Sequence, residues 1–363
     1  MLAVLALIAA ACGGTADDTT PPDDSSVTTT AAPVDAGQTD GESTLDVVKN
    51  RGTLRCGVSG SAVAFSETQP DGSVTGFDAD FCRALAAAVL GDANAIEFRA
   101  LTAQERFDAL SSGEIDVLMR NTTWTQSRDT EVGMDFAPTT YYDGQQLMGR
   151  SEQFSASSTL ADVDGAILCT NAGTTTEKNI TEGAQVAGAT IQLETVETFP
   201  EAMEKFKAGT CDLVTTDGSG LVGNKATAVR DGEITEDEWV IFPTAPISKE
   251  PLGPVYRQND STWADVVNWT VYATIIADEK GITQANVEEM MEVDPEAARL
   301  FGGEGELQTA MGLDAEAFLN VIKQVGSYTD IYNRNLNPVG LFREGSFNAP
   351  FNQGGLIYAP PAR

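Results

Sequence analysis

The sequence predicts an α/β fold with two lobes and a central ligand cleft between them. Two observations carry this prediction: strand and helix patterns alternate twice along the chain, and the two halves repeat one local pattern at their strand ends. Such alternation is typical of mainly parallel sheets whose faces are covered by helices. The 363 residues leave ample length for two such units, each with its own core.

The individual elements follow from apolar periodicity. In the first half the pattern predicts strands at residues 53–58, 96–101 and 115–119, with helices at 77–90 and 104–110. In the second half it predicts strands at 165–170, 190–196 and 211–215, with helices at 174–183 and 201–208. Gly91 directly follows the first helix and is a typical C-terminal stop.

The two halves share a local pattern at the end of a strand. In each, a helix ends at a glycine, an aspartate follows three residues later, and a polar residue closes the strand eight residues after the glycine. These residues are Gly113, Asp116 and Asn121 in the first half and Gly209, Asp212 and Asp217 in the second. Open α/β sheets bind ligands at the carboxyl ends of their strands. Asn121 and Asp217 are therefore expected to face one cleft, unless the match is a coincidence between two ordinary α/β units.

Charge and composition exclude several classes of function. The chain has 22 Lys and Arg residues against 54 Asp and Glu, which gives a formal net charge of -32. A nucleic-acid partner is not expected, because its phosphates would be repelled. The absence of histidine excludes a histidine general base, a Ser-His-Asp triad and a histidine-bound metal. We therefore expect a binding protein rather than an enzyme, with no metal and no cofactor.

Three positions form a candidate binding site for a zwitterion. Arg128 is a fixed cation in an acidic chain, suited to a carboxylate. Thr174 and Glu177 fit a capping box, which leaves helix N–H groups for the same kind of anion. Asp217 could accept an ammonium group, so that both ends of a buried amino acid are neutralised. Alternatively, Arg128 forms a structural ion pair with a nearby aspartate and the capping box only starts a helix.

The N-terminal segment indicates export. Residues 2–11 form an apolar run of the length of a signal core, and small residues precede Cys12 as in a bacterial lipobox. Residues 1–12 are thus predicted to be a signal with lipidation at Cys12, or a secretory signal that is simply cleaved. Residues 13–44 lack Lys, Arg and aromatic residues and are predicted to be a disordered tether. The other four cysteines favour disulfides over free thiols in an exported protein.

With these features in place, the chain resembles the amino-acid-binding proteins of bacterial ABC importers, and most closely their general L-amino-acid-binding branch. The resemblance covers about residues 44–363. It is carried by Gly-Glu-Ile-Asp-Val-Leu-Met-Arg-Asn-Thr-Thr-Trp-Thr-Gln-Ser-Arg at 113–128 and by Ile-Ser-Lys-Glu-Pro-Leu-Gly-Pro at 247–254. Further matching segments in the same order are 54–59, 75–89, 141–145, 215–221 and 354–361.

The resemblance implies a two-lobed periplasmic-binding-protein type II fold with a hinge. Lobe 1 would comprise residues 45–147 plus 252–363, and lobe 2 residues 148–251. The chain would cross between the lobes near 145–149 and 249–253. The division places two cysteines in each lobe, which predicts the disulfides Cys56–Cys82 and Cys169–Cys211.

The resemblance also implies roles for individual residues. Arg128 would bind the ligand's carboxylate, supported by Thr123 and the backbone at Asn121. Thr174 and the following amide, that of Thr175, would face the same carboxylate from the other lobe, and Asp217 would hold the α-ammonium. Phe65 is either an apolar wall of the pocket or a packed core residue. Other candidate walls are Trp124 and Tyr142, and a roomy pocket of this kind would favour broad specificity.

The resulting functional prediction is capture of free L-amino acids outside the cytoplasm. The protein would be a monomer, lipid-anchored to the outer face of the cytoplasmic membrane or periplasmic, and would deliver its ligand to the permease subunits of an ABC importer. One alternative is a dehydratase-type enzyme on the same fold, acting on a prephenate-like acid with Asp217 or a nearby Glu as general acid. Another is the ligand-sensing ectodomain of a receptor.

Overall fold

A computed structural model describes residues 42–304 and 306–363. The predicted signal, its Cys12 and most of the predicted tether lie outside the described residues. The last three tether residues, 42–44, are described, and they already belong to the folded part. The Ser43 side chain caps the first helix by accepting a hydrogen bond from the N–H of Asp46, and that helix begins at Thr44.

The described part contains 15 strands and 13 α-helices. The strands are β1 (Leu54–Val58), β2 (Ser61–Ala62), β3 (Ser66–Thr68), β4 (Val74–Thr75), β5 (Ile96–Ala100), β6 (Val117–Leu118), β7 (Met134–Phe136), β8 (Tyr141–Asp143), β9 (Gln145–Arg150), β10 (Ile167–Asn171), β11 (Gln192–Val196), β12 (Leu213–Asp217), β13 (Trp239–Phe242), β14 (Glu250–Leu252) and β15 (Val255–Arg257). The helices are α1 (Thr44–Arg51), α2 (Phe77–Leu90), α3 (Arg106–Ser111), α4 (Gln126–Thr130), α5 (Thr175–Ala187), α6 (Phe199–Lys207), α7 (Gly218–Arg230), α8 (Ser261–Glu279), α9 (Val287–Val293), α10 (Pro295–Gly302), α11 (Leu307–Ala310), α12 (Ala317–Gln324) and α13 (Tyr328–Asn335). Among these helices, none combines the length and apolar character that a membrane crossing requires.

Two five-stranded sheets organise the described part. The first has the order β5-β1-β6-β15-β7 and the second the order β11-β10-β12-β9-β13. In both, the first three strands are parallel and the fourth strand runs antiparallel to its neighbours. The fourth strand comes from a different part of the chain in each case, β15 in the first sheet and β9 in the second. The sheets are therefore two copies of one topology, interleaved in the sequence.

Two short strands connect the sheets. Strands β8 and β14 pair antiparallel, with Tyr141 opposite Leu252 and Asp143 opposite Glu250. Each leads within a few residues into the fourth strand of a five-stranded sheet, β8 into β9 and β14 into β15. Residues 145–149, where we expect the first crossing, lie inside β9, because this segment is already hydrogen-bonded along β12 and β13.

The core of the first half extends into the C-terminal helices. Helix α2 is buried along almost its whole length, which requires apolar cover on both sides. Its Phe77 ring packs edge-on against Tyr328 and Tyr332 of α13, at centroid distances of 5.9 and 6.0 Å. Helices α8 and α12 also pack on α2, so that residues after 260 complete the core around the first sheet.

Both predicted disulfides are present, and each lies within one half. Cys56 of β1 is bonded to Cys82 of α2, with Cα atoms 6.1 Å apart. Cys169 of β10 is bonded to Cys211, which lies two residues before the start of β12, with Cα atoms 5.9 Å apart. Each bond starts from the middle one of the three parallel strands of a sheet, and all four half-cystines are fully buried.

Candidate functional site

A cavity of about 320 Å³ lies between the carboxyl ends of the two sheets. Its walls come from the segments that follow β1 and β6 in the first sheet and β10 and β12 in the second. All seven residues predicted from the sequence line it: Phe65, Asn121, Thr123, Arg128, Thr174, Thr175 and Asp217. The structure thus brings together side chains that lie up to about 150 residues apart in the sequence. Trp124 and Tyr142 are not among the lining residues; Trp124 is largely exposed and stacks on Phe136.

Phe65 is both a cavity wall and a core residue. Its ring is buried and packs edge-on against Phe77 and Tyr141, at centroid distances of 5.8 and 5.3 Å. The two interpretations of Phe65 are therefore compatible: one part of the ring faces the cavity while the rest anchors it.

Arg128 lies in α4, the next helix after β6 in the chain. Thr125 caps this helix, and the Arg128 side chain turns back so that its Nη1 donates to the backbone oxygen of Thr123 at 2.8 Å. The guanidinium is buried over the Phe107 ring, 5.4 Å from its centroid. Burial lowers the pKa of Arg128, while the Glu250 and Asp217 carboxylates raise it. None of the ion pairs in the described part includes Arg128, which leaves it available to an anionic guest.

Two further arginines line the same cavity, and sequence analysis missed both. Arg120 is the residue before Asn121, and its Nε donates to the backbone oxygen of Leu101 at 2.8 Å. Arg106 opens α3 and is only 2% exposed, yet its Nε and Nη2 are buried without an acceptor in the described part of the chain. Burial and then the Arg128 charge lower the pKa of Arg120 to about 10. The same two causes, together with Arg120, lower the pKa of Arg106 well below its usual value.

The second sheet contributes the N-terminus of α5. Thr174 caps this helix, with its hydroxyl oxygen accepting from the N–H of Glu177 at 3.1 Å. The Glu177 carboxylate accepts from the N–H of Gly173 rather than from that of Thr174, one residue earlier than a capping box requires. The N–H groups of Thr175 and Thr176 occupy the first two positions of α5, where a helix offers no internal acceptor. These donors and the helix dipole favour an anion at this end of the cavity.

The hydroxyl groups of Thr123 and Thr175 are already committed as donors. Each donates to the same carboxylate oxygen of Glu250, at 2.5 and 3.0 Å. Since a hydroxyl has a single proton, neither can also donate to a ligand carboxylate. These two side chains can therefore offer a ligand only the lone pairs of their hydroxyl oxygens. Thr175 can in addition donate its backbone N–H.

Asn121 and Asp217 both line the cavity. Asn121 has a backbone φ of 32°, and its N–H donates to Asp78 Oδ2 at 2.7 Å, which holds this left-handed turn. Its side-chain oxygen is buried without a donor in the described residues. Asp217 ends β12, and its pKa is raised well above the usual value by burial and then by Asp143 and Glu250, against the opposing effects of Arg128 and a hydrogen bond from Asn121. A cation placed here would relieve the cost of ionising Asp217.

The cavity therefore presents groups of both charges. The Arg128 guanidinium, the N-terminus of α5 and the Asp217 carboxyl all line it. Within the described residues, no group of three or more histidine, cysteine or carboxylate side chains is arranged to hold a metal ion.

Comparisons with known proteins agree with this architecture. Residues 54–280 match the model of the bacterial extracellular solute-binding proteins, family 3. The chain is 44% identical to the general L-amino acid-binding periplasmic protein AapJ of Rhizobium johnstonii, over 88% of this chain and 93% of that protein. It is 43% identical to the glutamate/glutamine/aspartate/asparagine-binding protein BztA of Rhodobacter capsulatus, over 88% of this chain and 94% of that protein.

A solved structure supports the same assignment. The periplasmic binding protein of an ABC transporter from Brucella ovis, with glutathione bound, is 43% identical and superposes with a TM-score of 0.82, over 89% of this chain and all of that one. The family and the periplasmic-binding fold expected from the sequence are thereby confirmed. The chain belongs to family 3 of the bacterial extracellular solute-binding proteins.

Proposed function

We propose that this protein captures free L-amino acids outside the cytoplasm and delivers them to an ABC importer. The observation that carries the proposal is the convergence of Arg128, the α5 N-terminus and Asp217 on one cavity between the sheets. Arg128 and the Thr175 N–H bind the α-carboxylate. Asp217 accepts hydrogen bonds from the α-ammonium. The names of AapJ and BztA, which describe amino-acid-binding proteins, support this assignment.

The side-chain end of the ligand meets a second positive region. Arg106 and Arg120 also line the cavity, and the guanidinium group of either suits an added carboxylate or amide oxygen. We therefore assign a preference for glutamate and aspartate over apolar amino acids. The cavity volume of about 320 Å³ also supports broad specificity, because it leaves room for ligand side chains of different lengths. The name of BztA, which lists two acidic amino acids and their amides, is consistent with this preference.

Ligand capture involves movement about the strands that connect the sheets. Strands β8 and β14 form the hinge, and an amino acid that contacts both halves stabilises the closed form. The closed protein then docks on the permease subunits of the importer. Lipidation of Cys12 would keep it at the outer face of the cytoplasmic membrane, with residues 13–41 as the tether.

An enzyme on the same fold is the weaker candidate. A dehydratase would use Asp217 as general acid, and its raised pKa is compatible with that role. However, Asp217 lines the same cavity as Arg128 and the N-terminus of α5, a combination suited to the ammonium and carboxylate of an amino acid. Turnover of prephenate or arogenate by the purified protein would favour the enzyme.

The proposal is tested by a thermal-shift panel of the protein amino acids on the full chain, since a ligand that binds only the folded state raises Tm. We expect glutamate and aspartate to give the largest shifts. The Arg128→Met variant should lose the shift for every amino acid while remaining folded. A panel in which no amino acid changes Tm, or in which Arg128→Met responds like the wild type, would refute the proposal.

A further inference from the structure

Glu250 occupies a central position outside the cavity wall. It begins β14, one of the two connecting strands, opposite Asp143 of β8. It is 1% exposed, and a buried carboxylate is stable only when it is well supplied with donors. Glu250 does not line the cavity, so we do not assign it a contact with the ligand.

Four donors surround this carboxylate. Oε2 accepts from the hydroxyls of Thr123 and Thr175 at 2.5 and 3.0 Å. Oε1 accepts from the Asn179 amide at 2.7 Å and from the Ser248 hydroxyl at 2.6 Å. Hydrogen bonds to an ionised acceptor are roughly twice as strong as neutral ones.

The donors come from both sides of the cleft. Thr123 follows β6 of the first sheet, whereas Thr175 and Asn179 belong to α5, which packs on the second sheet. The Thr123 and Thr175 hydroxyl oxygens are themselves only 3.3 Å apart. The four-donor arrangement thus requires the two halves to be at their present separation.

We infer that Glu250 is a positioning residue that holds the two halves together and orients the threonines of the binding site. This inference rests on the proposed function. Each threonine hydroxyl directs its proton to Glu250, so its oxygen lone pairs point away from that carboxylate. The negative charge of Glu250 also favours the charged form of Arg128. Opening the cleft separates Thr175 and Asn179 from Thr123, so the closed form gains hydrogen bonds that do not involve the ligand. We call this set of four hydrogen bonds the Glu250 latch.

The test compares two latch variants with a matched control. Glu250→Gln preserves the shape of the side chain but replaces one carboxylate oxygen with an NH2 group. An NH2 group cannot accept hydrogen bonds from the two donors on that side, so two of the four hydrogen bonds of the latch are lost. Asn179→Ala removes a single bond from a residue that does not line the cavity. The control is Asp80→Asn, because Asp80 is a buried carboxylate whose partners Arg83, Arg334 and Asn335 all belong to the first half.

The first readout is the distance between the halves in the ligand-free full chain. Spin labels attached through azide-bearing residues at Val186 and Val293, which are 90% and 70% exposed, report this distance by pulsed electron paramagnetic resonance. We expect Glu250→Gln and Asn179→Ala to populate longer distances than the wild type and Asp80→Asn to match it. Identical distances in all four proteins would overturn the inference, whether or not an amino acid binds.

The second readout is affinity for L-glutamate by calorimetry. We expect Glu250→Gln to weaken binding by about tenfold or more, the size expected for losing a hydrogen bond to a charged group, and Asn179→Ala to weaken it less. Asp80→Asn should lower Tm with unchanged affinity. Wild-type binding with equal affinity in Glu250→Gln would refute the latch, whereas a wild type that binds no amino acid would refute the proposed function.

Discussion

Replacing Arg106 with methionine should make the ligand-free protein more stable while weakening its binding of acidic amino acids. Two of the donors of Arg106, Nε and Nη2, are buried without an acceptor in the described part, and each such donor costs about 1–3 kcal/mol. Arg120 and Arg128 add repulsion, as the lowered pKa of Arg106 indicates. Methionine fills a similar volume without these donors, but it loses the contact of the guanidinium with the Phe107 ring at 4.9 Å.

The net gain in unfolding free energy should be about 1–3 kcal/mol, because the lost ring contact is worth only about 0.5–2 kcal/mol. For a protein of this size, about 1 kcal/mol corresponds to roughly 2 °C in Tm. We therefore expect the Tm of the ligand-free Arg106→Met variant to rise by about 2–6 °C. Removing one partner of a buried charge pair costs about 2–5 kcal/mol, so affinity for L-glutamate should fall by about 30-fold or more.

Calorimetry with L-glutamate and L-glutamine separates the two ends of the ligand. Arg106→Met should weaken glutamate binding more than glutamine binding, since only glutamate carries the second charge. Arg128→Met is the matched control and should weaken both equally, because both ligands share the α-carboxylate. A fall in Tm for Arg106→Met, or an equal loss of both ligands in that variant, would refute the reasoning.

Three further predictions concern the carboxyl groups. Asp217→Asn should weaken amino-acid binding by about 30-fold or more by calorimetry, because the α-ammonium loses its counter-charge; unchanged affinity would contradict this. Since the pKa of Asp217 is raised in the ligand-free protein, binding an ammonium should release a proton, so affinity should increase with pH and the binding enthalpy should differ between phosphate and Tris buffers. A buffer-independent enthalpy would exclude this linkage. Burial raises the pKa of Asp78 from 3.8 to about 7, so its contribution to stability is lost as pH rises through that range, and Asp78→Asn should reduce the fall in Tm between about pH 4 and pH 7. An unchanged fall in that variant would argue against a buried Asp78 proton.

Local patterns in the sequence were sufficient to predict much of the fold. The apolar period of residues 77–90 predicts α2 with its observed bounds, because that helix is buried on most of its surface. The repeated pattern after Gly113 and Gly209 places Asn121 and Asp217 at equivalent strand ends, which follows from the carboxyl ends of parallel strands lying at one edge. The predicted strand at 115–119 is reduced to two residues, Val117–Leu118, since its pairing with β1 extends over only two positions.

The missed residues depend on contacts between distant segments. Arg106 has the surroundings of an ordinary helical arginine in the sequence, and only the fold places it beside Arg120 and Arg128. Glu250 lies 127 residues after Thr123, and no local spacing indicates their hydrogen bond. The direction of the threonine hydroxyls likewise follows from Glu250. Residues that lie at the end of a strand could be predicted from the local sequence. Residues whose role depends on contacts across the cleft could not.

The central claim is that the cavity holds one free amino acid through its α-carboxylate and its α-ammonium. Calorimetric titration of the full chain with L-glutamate and with glutarate tests it most directly, because glutarate keeps both carboxylates and lacks only the ammonium. We predict one glutamate bound per chain and no measurable binding of glutarate at the same concentrations. Glutarate binding as tightly as glutamate would show that Asp217 does not hold an ammonium and would contradict the account.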